Sequence, residues 1–129
     1  MTATSVSDWF DGYNDTFGAC ARGDKTVADV LAHYDSATLI TLGETVVGSG
    51  TLAARAWVEE QAAKMRTADY SHTEMLDRTI TVLNPVTALL RGDFSRRSRG
   101  GIEVSAFTVT YLIYRSAEGL KIGSLAIHS

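Results

Sequence analysis

His72 and Glu74 are the pair in this sequence whose types and spacing most directly suggest chemistry. They stand two residues apart in a run at about 70–83 that reads as a β-strand. That spacing puts both side chains on one face, about 7 Å apart. An imidazole oriented by a carboxylate is an acid–base couple suited to neutral pH; on a solvated sheet edge the same pair is only a surface contact. His128 is the second candidate, in phase with Ser124 and Ala126 on the last strand-like run. It is either a catalytic imidazole or a chain-end histidine half in water. Asp77 and Arg78 fall on opposite faces further along 70–83, so one of them can enter a pocket.

The only basic cluster is "RGDFSRRSRGG" at 91–101. Arg91 and Asp93 share a strand face, which makes Arg91 a candidate for an anionic ligand group. Arg96, Arg97 and Arg99 read as a solvated hairpin tip. Gly48-Ser49-Gly50-Thr51 precedes a helix but lacks the lysine of a P-loop and the third glycine of a dinucleotide fingerprint, so it reads as a helix cap. His33, His72 and His128 have no ligand spacing and no metal or cofactor is expected. Cys20, Trp9, Phe10, Tyr13, Phe17 and Trp57 are core residues by type, with the Tyr13 hydroxyl able to face a cavity.

These side chains need elements to hold them. Val6, Trp9, Phe10, Tyr13, Phe17 and Cys20 recur at helical spacing over 5–22, with Asp8, Asp11, Asn14 and Asp15 between them. Ser5 or Ser7 can cap this helix and Gly23 can stop it. A short second helix is capped by Thr26, with Asp29 at capping-box spacing. Short strands at 37–42 and 45–47 flank Gly43-Glu44, and a third helix follows with Thr51 as its expected cap. Strands follow at about 70–83, 86–95, 102–115 and 120–128. The last three are joined by links too short for a parallel crossover, so an antiparallel meander is expected. The fold class is α+β: three helices from the N-terminal half on one face of a curved antiparallel sheet. A strand as long as 102–115 implies a strongly twisted, curling sheet, and the helices across its concave side leave a conical cavity for a small ligand.

The bulk numbers narrow the function. The 129 residues fit one domain spanning 1–129, and 45% hydrophobic with 21% charged residues is ordinary for a globular chain. A net charge of −3 argues against nucleic acid as a partner. One cysteine allows no internal disulfide and suits a reducing cytoplasm. "MTATSVSDWF" has no secretory pattern, and no window approaches the ~18 apolar residues of a membrane span.

The order of elements, with "RGD" at 22–24, "HYDSATLIT" at 33–41, "GSGTLAARAW" at 48–57 and "GLKIGSLAIHS" at 119–129, resembles the nuclear transport factor 2-like superfamily, nearest its SnoaL-like and ketosteroid-isomerase-like branch. The resemblance implies a cone-shaped α+β barrel, frequent homodimers, and a pocket used by isomerases, dehydratases, cyclases, epoxide hydrolases or simple binding proteins. In ketosteroid isomerases a base on the first strand matches Thr41, and a carboxylic acid on the penultimate strand matches Thr110. The helix-one phenol matches near Thr16, one turn from Tyr13. A threonine hydroxyl cannot act as a base near neutral pH, so that reaction loses its two carboxylates. The arginine-plus-aspartate pattern of the epoxide hydrolases is not recognisable.

If Thr110 faces the cone, Ala106, Thr108, Leu112 and Tyr114 follow it, and Phe107, Val109, Tyr111 and Ile113 face outward. An outer face that bulky calls for a cover, and a homodimer through it is expected. In the reverse register those four line the core and the threonines meet solvent. The reading is a cytoplasmic, dimeric protein for a small apolar or weakly acidic ligand, polyketide- or steroid-like. It acts either in cofactor-free isomerisation, dehydration or cyclisation, or as a non-catalytic ligand-binding or interaction module. Candidate catalytic residues are His72, Glu74 and His128; candidate substrate contacts are Tyr13, Thr41, Trp57, Arg91 and Thr110.

Overall fold

The computed structural model describes residues 1–129. Helices α1 (Ala3–Arg22) and α2 (Val27–Leu31) are followed by strands β1 (Tyr34–Leu42) and β2 (Thr45–Ser49), helix α3 (Thr51–Thr67), and strands β3 (Tyr70–Asn84), β4 (Thr87–Ser98), β5 (Glu103–Ser116) and β6 (Gly119–Ile127). The element order matches the sequence reading, and the caps differ in detail. Thr2 caps α1, accepting from the Ser5 N–H while the Ser5 hydroxyl accepts from the Thr2 N–H. Ser5, one of the two expected caps, is therefore the residue at the third helical position that completes this reciprocal pair. Gly23 ends the helix in the left-handed conformation at φ 87°. Thr26 and Asp29 form the expected capping box on α2. Gly50, not Thr51, occupies the cap position of α3, and no side chain caps that end.

The six strands form one curved, open sheet in the order β2-β1-β6-β5-β4-β3. Strands β3 to β6 are the antiparallel meander that their short links require. The exception is β1, which lies parallel to β6, with Ile40 beside Leu125 and Leu42 beside Ile127. Strands bend where the ladder slips, at Leu76 between Met75 and Asp77 on β3 and at Gly123 between Ile122 and Ser124 on β6. The helices cover the concave side, where Val6, Phe10, Val58, Leu90, Val109, Ile113 and Ile122 are fully or almost fully buried. Phe10 is the centre of this packing. Its ring meets Tyr111 edge-on at 4.9 Å between centroids and Phe94 at 6.1 Å. On the β3 side Arg78 fastens the sheet to α1, donating to the Ser7 hydroxyl at 2.5 Å and to Asp11 at 2.7 Å.

One register expectation is reversed. On β5, Val109, Tyr111 and Ile113 are buried on the concave side, and Thr108, Thr110 and Leu112 lie on the outer face. Burying large apolar groups outweighs any pull from a threonine hydroxyl that can meet water outside. Three of the four bulky residues expected to demand a dimer cover, Val109, Tyr111 and Ile113, are therefore already buried, and Phe107 is half-buried on the same side. No helix is long and apolar enough to cross a membrane.

Candidate functional site

The cavity lies between α1, α3 and the concave sheet, with a volume of about 370 Å³. Of its 21 lining residues, 15 are hydrophobic. Helix α1 contributes Tyr13 and Phe17, one turn apart on its apolar stripe, with Asn14 beside them, and α3 contributes Trp57, Gln61, Lys64 and Met65 at three- and four-residue spacing. Alternation along β4 sends Phe94 and Arg96 inward, and along β5 Ser105, Phe107, Val109 and Tyr111. The Phe94 and Phe107 rings stack at 5.4 Å. The stack depends on Gly92, where a Cβ would come within 2.8 Å of the Phe94 ring.

Two polar features interrupt the apolar wall. The first is a phenol pair: the Tyr13 and Tyr34 hydroxyls are 2.7 Å apart in a buried setting. Burial holds the Tyr13 phenol well above its ordinary pKa, and charge repulsion with Tyr34 and Tyr111 adds to this. Burial also raises Tyr34 and Tyr111. All three therefore remain neutral O–H groups through the ordinary pH range.

The second feature is Arg96. Its Nη1 donates to Gln61 Oε1 at 2.9 Å, and its guanidinium sits 4.6 Å from the centre of the Phe107 ring. Its Nε is buried and has no hydrogen-bond partner. Burial pulls its pKa down, partly opposed by Tyr70, Tyr111 and Tyr13, yet a guanidinium stays charged. No Asp, Glu or His lines the cavity.

Of the candidate catalytic and substrate-contact residues, Tyr13 and Trp57 line the cavity. The others are elsewhere. Thr41 pairs with Ala126, and Ala126 with Thr110, in a row across the outer face. Arg91 continues that row beside Thr110 and is exposed. His128 is also outside, with its Nε2 2.7 Å from the Thr110 hydroxyl. His72 and Glu74 do meet, at 3.2 Å, but on the outer side of β3 with about half of each side chain exposed. Arg97 stands 3.7 Å from Glu74 and 3.8 Å from Glu103, so this is a surface charge network. Cys20 is core, as its place on the helical stripe required.

Arg96, Gln61, Tyr34 and Tyr111 are cavity residues that the sequence reading does not place at the site. The run of arginines points to a solvated tip for Arg96, although its two-residue spacing from Phe94 carries the signal that places it inside. Tyr111 was assigned outward by the register that the threonine match imposed.

The sequence matches the family described as NTF2-like protein (DUF6841) over residues 4–129, and the chain belongs to that family. No curated protein matches it. Many solved structures share its fold. A protein of unknown function with a cystatin-like fold from Nostoc punctiforme aligns with a TM-score of 0.73 at 14% identity, over 99% of this chain and 92% of that one. An NTF2-like protein from Novosphingobium aromaticivorans gives 0.68 at 16% identity, over 98% and 86%. A ketosteroid isomerase-like protein from Erwinia carotovora atroseptica gives 0.60 at 12% identity, over 92% and 91%. Identities this low carry the likeness of fold and no activity.

Proposed function

We propose that this NTF2-like protein binds a compact, largely apolar small molecule in the cavity enclosed by α1, α3 and the sheet. The observation that carries this reading is the wall itself: mostly hydrophobic and aromatic side chains, interrupted by a few fixed polar groups. That is the usual constitution of a ligand site, and about 370 Å³ falls at the smaller end of such sites. Binding is favoured over acid–base turnover because a general base must come within about 3 Å of the proton it takes. No carboxylate or imidazole lines this cavity, and His72, Glu74 and His128 would each act from the far side of the sheet.

A second reading has one observation in its favour. The Tyr13–Tyr34 pair presents neutral phenols in a dry setting, and such donors can stabilise an oxyanion developing on a bound carbonyl. An isomerase, dehydratase or cyclase of a polyketide- or steroid-like ketone would use them in that way, and the name of the Erwinia relative is in keeping with it. The setting we propose is the cytoplasm, in keeping with one buried, unpaired cysteine.

The test is titration with N-phenyl-1-naphthylamine, an uncharged apolar probe. Saturable uptake at one probe per chain, lost in Ser105→Trp, supports the reading, because that indole fills the cavity from β5. Absence of saturable uptake sinks it.

A further inference from the structure

We infer that the cavity is built for a carboxylic acid bound as its anion, with the carboxylate on Arg96 and the apolar body against Phe94, Phe107 and Trp57. This deepens the small-molecule reading above and rests on it.

The reasoning begins with an unbalanced charge. Arg96 projects from β4 into a mostly apolar cavity, and its protein partners are one neutral amide oxygen, that of Gln61, and one ring face, that of Phe107. The ring face contributes to holding a cation and accepts no conventional hydrogen bond. Glu74 and Glu103 lie on the other face of the sheet, both within salt-bridge range of Arg97. The buried phenols of Tyr13 and Tyr111 near Arg96 cannot serve as counterions, because burial keeps both protonated. Taking a guanidinium out of water without an anion costs several kcal/mol, and a methionine or leucine would fill the same space without that cost. A cost of that size is recovered when a ligand supplies the missing charge.

The chemistry of the missing charge follows from the donors. Gln61 occupies Nη1, while the buried Nε has no acceptor. Nη2 also has no protein acceptor and, unlike Nε, is not sealed from the cavity, so it is the N–H that a carboxylate oxygen meets first, with Nε beside it for the second oxygen. Lys64, the other cation on the wall, is mostly exposed and lies 3.0 Å from Glu60, leaving Arg96 as the one uncompensated charge. One uncompensated charge selects a monoanion over a phosphate dianion. The stacked rings of Phe94 and Phe107, beside the guanidinium, then offer a flat apolar surface to the rest of the molecule.

The experiment compares matched acids and primary amides, 2-naphthoate with 2-naphthamide and octanoate with octanamide, by calorimetry at pH 7.5. The wild-type protein is expected to bind each acid about tenfold or more tightly than its amide, since hydrogen bonds to a charged partner are worth at least that ratio. Arg96→Met should bring acid and amide to equal affinity while still binding the amides. The same variant, free of ligand, should melt at or above the wild-type temperature, because it removes a buried unpaired charge. Equal binding of acid and amide by the wild-type protein overturns the inference and leaves the apolar cavity standing. So does a preference for acids that survives in Arg96→Met. A Tm lowered by many degrees in both Arg96→Met and Arg96→Gln also overturns it, by making the Gln61 contact structural. If neither the acids, the amides nor N-phenyl-1-naphthylamine enter, the small-molecule reading falls and this inference falls with it.

Discussion

Tyr13 on α1 and Tyr34 at the start of β1 share a buried hydrogen bond of 2.7 Å, which ties the first helix to the first strand inside the cavity wall. Removing either hydroxyl leaves the other without this partner. Tyr34→Phe and Tyr13→Phe are each expected to lower the unfolding free energy by about 1–3 kcal/mol. The double variant should lose less than the sum of the two, because the second removal no longer strands a partner. Urea denaturation of the four proteins measures this, and strict additivity would show that the two hydroxyls act independently.

The same phenols set an alkaline limit on stability. The pKa values of Tyr13, Tyr34 and Tyr111 are all raised in the folded state, chiefly by burial. In the unfolded chain they titrate near 10. Above that pH the folded state holds more protons than the unfolded one, so stability is complete below pH ~10 and falls as the pH rises further. Absorbance at 295 nm should show these three tyrosines ionising only together with loss of the fold. Smooth ionisation of all five tyrosines in a protein that remains folded would contradict the burial argument.

Gly92 shapes the cavity wall by having no side chain. A Cβ there would sit 2.8 Å from the Phe94 ring and 3.6 Å from the Met75 sulfur. Gly92→Ala must therefore push the ring out of its stack with Phe107. The expected result is a loss of about 1–3 kcal/mol of stability, with weaker uptake of N-phenyl-1-naphthylamine. Unchanged uptake alongside the stability loss would mean that the ring moves without entering the cavity.

We expect the protein to elute at twice its 13.9 kDa chain mass, paired through the outer sheet face. The basis differs from the one read in the sequence, since Phe107, Val109, Tyr111 and Ile113 point inward. What remains outside is a row running from Leu39 past Ser124 to Leu112 and Leu89, with Leu39 42% exposed. Leu112→Glu should return the protein to a monomer. A wild-type monomer at micromolar concentration in light scattering would end this expectation.

The sequence exposed the fold more readily than the site, for physical reasons that individual residues make plain. Helical spacing from Val6 to Cys20 and the Thr26–Asp29 box are local signals, and local signals are legible from one chain. Facing is not local. Alternation divides β5 into two sets, and the choice between them turns on what the sheet packs against. Matching Thr110 to a relative's acid chose the wrong set, whereas the bulk of Tyr111 and Val109 argued for the right one. The bulges at Leu76 on β3 and Gly123 on β6 shift the phase midway along those two strands, and no composition announces them. Arg96 was obscured by its neighbours: in a run of arginines the one that turns inward has the same chemistry as those that do not.

The parallel pairing of β1 with β6 has a consequence for the order in which the molecule is made. During synthesis the hairpin of β1 and β2 leaves the ribosome early, yet the inner edge of β1 has no partner until residues 119–127 have followed. The backbone bonds from Ile122 to His33 and from Gly43 to Ile127 can close only then. Until that moment an unpaired strand edge and the apolar side of Ile40 stand open, a period of exposure that a nascent chain must survive without aggregating. A chain stopped after Ser116 would leave that edge permanently bare and take Ile122 and Leu125 out of the core.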